Sequence, residues 1–197
     1  TMLLIAEEKM SFFVFLSTDF IFDGNQGMYK EDDAPGPVNF YGKTKLEAEE
    51  AVKEYEYGWA IVRTILVYGK PQSGKDNILT VVKSKLEKGE EYNVVGDQVR
   101  TPTFVEDLAT AILSIIEIKA TGVYHIGGPD VLTPYEMALA VADYLHLDKS
   151  LIKEVNRKNF SQPAIRPLKT GFIIDKANKK LGFQPISFSE GLKKTFS

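Results

Sequence analysis

Thr18, Tyr41 and Lys45 form a set suited to placing a proton on a carbonyl oxygen. Thr18 sits in Ser17-Thr18-Asp19-Phe20-Ile21-Phe22-Asp23-Gly24, directly after the apolar stretch 12–16. Tyr41 and Lys45 sit in Tyr41-Gly42-Lys43-Thr44-Lys45. Four residues apart on a helix, they share one face. An ammonium one turn from a phenol favours the phenolate, so the phenol gives up its proton more readily. It can then protonate an oxygen that turns negative as hydride reaches the attached carbon. A threonine hydroxyl at a strand end can hydrogen-bond that same oxygen. No side chain supplies hydride, so this chemistry requires a cofactor. Tyr-x-x-x-Lys alone arises by chance in many helices, as an ordinary surface pair. Its position gives it weight, because parallel sheets hold their ligands at the carboxyl ends of strands.

The elements that must position this set are readable from periodicity. Residues 1–10 read as the last turns of a helix, with no N-cap signal ahead of them. The apolar run 12–22 predicts a central strand buried on both faces of a parallel sheet. Loops over 23–27 and 34–37 lead to a helix over 41–57, with Leu46, Ala48, Ala51, Val52 and Tyr55 as its apolar stripe. Glu49 and Lys53 are expected to pair on its wet side, and Gly58 to stop it. A strand over 59–68, a helix over 77–88 and a short strand over 92–95 follow. A helix over 107–119 and a strand over 123–126 come next. Thr133-Pro134-Tyr135-Glu136 is a capping box with proline at the first helical position, opening a helix to about 145. Residues 163–167 read as loop and 175–182 as a short helix with a glycine stop. Alternating strands and helices predict an α/β class with a mainly parallel sheet. The expected division is a Rossmann-like part over 1–90 and a mixed segment over 91–197. That second segment holds a small substrate-binding lobe and one returning sheet strand.

Composition narrows the function classes. The 197 residues are 44% apolar and 26% charged, ordinary for a globular protein. A net charge of −3 argues against nucleic acid as a partner. No apolar run approaches the length of a membrane span. Without cysteine there is no disulfide, thiolate nucleophile or cysteine-bound metal. The absence of a signal-peptide pattern makes the cytoplasm the expected compartment. The run Gly69-Lys70-Pro71-Gln72-Ser73-Gly74-Lys75-Asp76 nearly spells a phosphate-binding loop, but Asp76 stands where a magnesium-binding hydroxyl is required. A flexible loop is the better reading. His125 and His146, the only histidines, are expected to be structural.

With these motifs in order, the chain resembles the extended short-chain dehydrogenase/reductases. Within them it resembles the dTDP-4-dehydrorhamnose reductase-like branch. The resemblance is carried by the Ser17–Gly24 segment, Tyr29-Lys30-Glu31-Asp32-Asp33 and Tyr41-Gly42-Lys43-Thr44-Lys45-Leu46-Glu47-Ala48-Glu49. Arg63-Thr64, Val67-Tyr68-Gly69, Pro102-Thr103, Asp107-Leu108-Ala109, Arg166-Pro167 and Leu181-Gly182-Phe183 extend it over almost the whole chain. It implies the C-terminal part of a doubly wound, Rossmann-like parallel sheet. It implies NADPH or NADH as cofactor and a 4-keto nucleotide sugar as substrate, in dTDP-rhamnose biosynthesis. Tyr41 would be the acid, Lys45 its tuner and the holder of the nicotinamide ribose, and Thr18 the carbonyl partner. Ser17 would lie on the cofactor side, and Asp19, Arg100 and Arg166 on the substrate side. For both arginines a surface ion pair is the competing reading. A homodimer through the Tyr41 helix is also implied. Phe20 stands where the related dehydratases carry a glutamate acid/base, which favours reduction. Ile65-Leu66 replaces the Ser-Trp usual in the reductase branch, leaving the sugar open.

The family holds its cofactor on a Gly-x-x-Gly-x-x-Gly turn, and no such triplet occurs in these residues. By resemblance, four strands of the sheet precede this segment, and Thr1 falls in the helix before the fifth. Without them, 12–16 would be an exposed apolar edge open to pairing. The expectation is therefore a part of a longer chain, or a chain completed by a partner. Two alternatives to the reductase remain open: a non-catalytic subunit like the regulatory subunit of methionine adenosyltransferase, and a nucleotide-sugar epimerase.

Overall fold

The computed structural model describes residues 2–72, 74, 76–156 and 164–197. Ser73 and Lys75 of the loop at 69–76, and Pro163 of the loop at 163–167, lie outside them. After helix α1 (Met2–Glu8) comes strand β1 (Phe13–Thr18), a 3₁₀ turn (Asp19–Ile21) and helix α2 (Phe40–Lys53). Strands β2 (Trp59–Thr64) and β3 (Val67–Tyr68), helix α3 (Ile78–Glu87), and strands β4 (Tyr92–Val95) and β5 (Thr103–Phe104) follow. Then come α4 (Val105–Glu117), β6 (Gly122–Ile126), α5 (Pro134–Tyr144), β7 (Ile152–Val155), α6 (Asp175–Leu181) and α7 (Phe188–Phe196). None of the described helices is long and apolar enough to cross a membrane.

The main sheet is parallel, in the order β1-β2-β6. Its register sets Thr18 beside Thr64 and Ser17 beside Arg63, with His125 beside Arg63 on the other side. The carboxyl ends of all three strands therefore meet around one spot. This order puts β2 in the centre, and Ala60, Ile61 and Val62 are fully buried. β1 lies at the edge of the described sheet, the exposed apolar edge expected of 12–16 when the four preceding strands are not among these residues. Among the described residues nothing pairs along its other edge, and Leu16 stays 42% exposed there.

The strand expected over 59–68 is broken in two. Leu66 adopts a positive φ of 39°, an uncommon conformation for a bulky residue, and it ends the first ladder. β3 then leaves the sheet to pair with β5, while β4 pairs in parallel with β7. α3 and α5 pack with β4 and β7 into a core containing Leu79, Val82, Val94, Met137, Val141 and Ile152. A second core lies between the main sheet, α4 and α6. A third, small one, built on Ile21, Phe22, Tyr29, Ile65 and Phe172, fills the space beneath the strand ends.

α2 starts on a side-chain cap: Asn39 accepts from Gly42 N at 2.8 Å, and its amide nitrogen donates to Ile165 O at 2.8 Å. The helix ends at Lys53, short of 57. Tyr55 turns instead to give its hydroxyl hydrogen to Ser11 O at 2.5 Å. Gly42 lets the first turn of α2 rest on the 3₁₀ turn after Thr18. A Cβ there would lie inside the van der Waals shell of the Phe20 carbonyl oxygen. Alanine is the better helix former, yet Gly42→Ala should destabilise by about 1–3 kcal/mol through overpacking. Denaturant unfolding checks this, and an unchanged or raised stability would contradict the close approach.

Candidate active site

Thr18 closes β1 and caps the 3₁₀ turn. Its Oγ1 accepts from Phe20 N at 3.3 Å and donates to Asp19 Oδ1 at 3.1 Å. Tyr41, in the first turn of α2, is half exposed, and its ring meets Phe20 edge-on with centroids 6.0 Å apart. Lys45, one turn on, lies across the edge of β1. Its Nζ donates to Leu16 O at 2.7 Å and sits 4.6 Å from the centroid of the Phe15 ring. An ammonium has three donors, and two of these have no protein acceptor among the described residues.

A cavity of about 480 Å³ opens beside this set. Thr18, Asp19, Phe20, Tyr41, Leu66, Gln98, Arg100 and Arg166 are among its walls. Thr18, Tyr41, Asp19 and both arginines, singled out in the sequence, thus share one cavity. Ser17 and Lys45 stand behind it rather than on it.

The two arginines sit in different surroundings. Arg166 is exposed at the rim. Arg100 is 3% exposed, and its terminal nitrogens already bond protein oxygens. They donate to Val99 O, Leu168 O, Pro167 O and Gln98 Oε1 at 2.7, 2.9, 2.7 and 3.3 Å. Its Nε lies 3.7 Å from Asp19 Oδ2. Arg100 therefore braces the Pro167–Leu168 backbone and compensates Asp19, which also accepts from Thr170 Oγ1 at 2.5 Å. The surface ion-pair reading fails for Arg100, whose ion pair is buried. Burial pushes the Asp19 carboxyl above the usual carboxylate range, against the pull of Arg100 and the two hydroxyls. Burial likewise lowers Arg100, with Asp19 opposing.

Glu49 is the residue behind the site that sequence reasoning misplaced. The pattern puts it on the wet side of α2 with Lys53. In the structure Glu49 is fully buried, and Lys53 bonds Glu50 instead at 2.7 Å. Glu49 accepts from Arg63 Nε at 3.0 Å, from Arg63 Nη2 at 2.7 Å, and from Ser17 Oγ at 2.5 Å. The expected stripe position Ala51 is exposed in exchange. Two signals were present: Tyr41, Lys45 and Glu49 repeat at i, i+4, i+8 on one face, and Arg63 sits at the end of an apolar strand that offers no anion of its own.

Arg63 carries the network onward, donating through Nη1 to Glu31 O at 3.0 Å and meeting His125 Nε2 at 3.3 Å. His125 Nδ1 lies 3.0 Å from Tyr29 O. A carbonyl only accepts and a guanidinium only donates, so the imidazole is neutral with its hydrogen on Nδ1. Burial, with Arg63 beside it, holds the His125 pKa down at about 3 against an ordinary 6.5. Its ring stacks on Phe172 with centroids 4.0 Å apart. Its structural role is therefore explicit. His146 ends α5 in the left-handed region, with φ of 55°.

The fold is that of a Rossmann-like α/β protein. Residues 3–197 match the RmlD substrate binding domain family, and the chain belongs to it. It is 30% identical to dTDP-4-dehydrorhamnose reductase from Bacillus anthracis, solved in complex with NADP. The TM-score is 0.90, with 98% of this chain and 68% of that one covered. A Clostridium acetobutylicum dTDP-4-dehydrorhamnose reductase ortholog gives 29% identity, a TM-score of 0.90 and the same coverage. Methionine adenosyltransferase 2 subunit beta from Bos taurus is 35% identical over 151 residues, 74% of this chain and 45% of that protein. The probable low-salt glycan biosynthesis reductase Agl14 from Haloferax volcanii is 28% identical over 181 residues, 90% of this chain and 60% of that protein. The chain thus spans about half the length of the curated relatives it matches.

The tautomer of His125 sets a pH dependence. The folded state keeps the ring neutral, whereas the unfolded chain takes up a proton below the ordinary value. Its stabilising contribution is therefore complete above about pH 6.5 and is lost as pH falls toward 3. Asp19, with a raised folded value, contributes with the opposite sign. The comparison of wild type with His125→Asn isolates the histidine. The variant loses the Phe172 stack and should be less stable at neutral pH. Its stability should then fall less steeply between pH 6.5 and 3, by several kcal/mol over the window. Parallel curves from denaturant unfolding across that range would contradict the buried neutral ring.

Proposed function

We propose that this cavity reduces a 4-keto nucleotide sugar with NADPH or NADH. The observation that carries the reading is that Thr18 and Tyr41 wall one cavity while Lys45 shares the helical face of Tyr41. Bound there, a reduced nicotinamide would supply hydride to the keto carbon. The tyrosine hydroxyl would donate its proton to the carbonyl oxygen as charge develops, and Thr18 Oγ1 would hydrogen-bond the same atom. The two N–H groups of Lys45 without a protein acceptor suit ribose hydroxyls, and its charge supports the tyrosine oxygen. The hydroxyl hydrogen of Ser17 is spent on Glu49, so Ser17 would act on the cofactor side through its neighbours. Arg166 at the rim suits the substrate diphosphate, whereas Arg100 would shape the wall. Phe20, which cannot transfer a proton, stands directly after Thr18-Asp19, where dehydration would call for a second acid/base. The Bacillus anthracis relative, in complex with NADP, supports the choice of cofactor.

A second reading is a non-catalytic subunit, favoured by the 35% identity to methionine adenosyltransferase 2 subunit beta. The intact Thr18, Tyr41 and Lys45 set supports catalysis over it. In the full-length protein, Tyr41→Phe should lower kcat by a factor of about 100 or more. Affinity for the reduced cofactor should stay nearly unchanged. A phenylalanine variant that keeps most of its rate would remove Tyr41 from the chemistry.

A further inference from the structure

Gln98 lies in the loop after β4, is 2% exposed and walls the cavity. Its Oε1 accepts from Arg100 Nη2 at 3.3 Å. Its Nε2 is, among the described residues, the one buried side-chain nitrogen or oxygen without a hydrogen-bond partner. A buried amide donor left unpaired is costly, and folded proteins rarely keep one without a use. The orientation is not arbitrary, since reversing the amide would turn its N–H groups onto the Arg100 guanidinium, which has no acceptor.

We propose that Gln98 is a specificity-determining residue whose amide donates to an oxygen of the sugar ring or its hydroxyls. This rests on the nucleotide-sugar reading above and deepens it. Two observations place the contact at the sugar rather than the diphosphate. Gln98 bonds Arg100, Arg100 pairs with Asp19, and Asp19 is the neighbour of Thr18, so the amide belongs to the wall nearest the carbonyl partner. The guanidinium beside Gln98 is itself compensated: Asp19 opposes Arg100, whose terminal nitrogens bond protein oxygens, and Arg166 is the further cation nearby. A neutral donor on a compensated wall suits a neutral hydroxyl or ring oxygen. A site built to hydrogen-bond a sugar oxygen discriminates against sugars that lack it, because the donor is then left unpaired.

Titration calorimetry on the full-length protein tests this with two probes, dTDP-glucose and dTDP. Gln98→Met removes the donor with little change of shape, and Arg100 Nη2 keeps Pro167 O at 2.7 Å. Gln98→Glu keeps an acceptor for Arg100 and lacks the N–H, and serves if the methionine variant folds poorly. Gln98→Met should bind dTDP-glucose about tenfold more weakly or worse and dTDP within about twofold of wild type. Gln98→Glu, whose carboxylate repels the diphosphate of both probes, should weaken dTDP-glucose about tenfold more than it weakens dTDP. The thermal midpoint of the methionine variant should not fall. Equal weakening for both probes would mean that Gln98 acts only by holding the Arg100 wall, and would overturn the proposal. No change for either probe would overturn it too. Failure of the unsubstituted protein to bind either probe would instead overturn the nucleotide-sugar reading, and the Gln98 contact with it.

Discussion

The buried pair of Glu49 and Arg63 is the interaction on which the site depends. One carboxylate on α2 holds Arg63 on β2 and Ser17 on β1, and Arg63 in turn holds His125 on β6 and the backbone of Glu31. The carboxyl ends of three parallel strands and the helix bearing Tyr41 and Lys45 are thereby tied to one point. Taking both charges out of water is expensive, and replacing such a pair with apolar residues often costs nothing in stability. Removing one partner strands the other, typically at about 3–5 kcal/mol. Its value here is geometric. Lys45 and Glu49 lie one turn apart, so fixing Glu49 fixes the rotation of α2 over β1, and with it the direction in which Tyr41 faces.

A second buried pair, Asp19 with Arg100, does the same for the other wall. It joins the turn after Thr18 to the Pro167–Leu168 backbone, with Thr170 adding its hydroxyl. Both pairs are compensated internally. Arg166 lines the mouth of the cavity, and Lys45 stands behind it on the helical face that carries Tyr41. The half-exposed Tyr41 lines the cavity between these two compensated pairs.

Much of this was legible in the sequence, and the failures have physical causes. The α/β class, the helix starts at Asn77 and Thr133, and the glycine end at Gly182 follow from caps and periodicity that act locally. The clustering of Thr18, Asp19, Tyr41, Arg100 and Arg166 followed from family motifs whose order reflects the fold. The buried Glu49 was hidden because an isolated helix offers Glu49 a lysine at i+4. Only the sheet, through Arg63, offers it a better partner. The break at Leu66 was hidden because an unbroken apolar run carries no mark of a positive φ. The apolar run of β1 belongs to a strand paired on both sides, and its open edge follows from the preceding strands being outside these residues. Gln98 carried no signal in the sequence, since an unpaired amide exists only once the surroundings are built.

The central claim is that these residues reduce a keto sugar. The most direct measurement is the loss of reduced-nicotinamide absorbance by the full-length protein with NADPH or NADH and a 4-keto nucleotide sugar. The account predicts net oxidation matched one for one by consumed keto sugar. No net oxidation with any such sugar, in a protein that binds cofactor and co-purifies with a methionine adenosyltransferase, would contradict it.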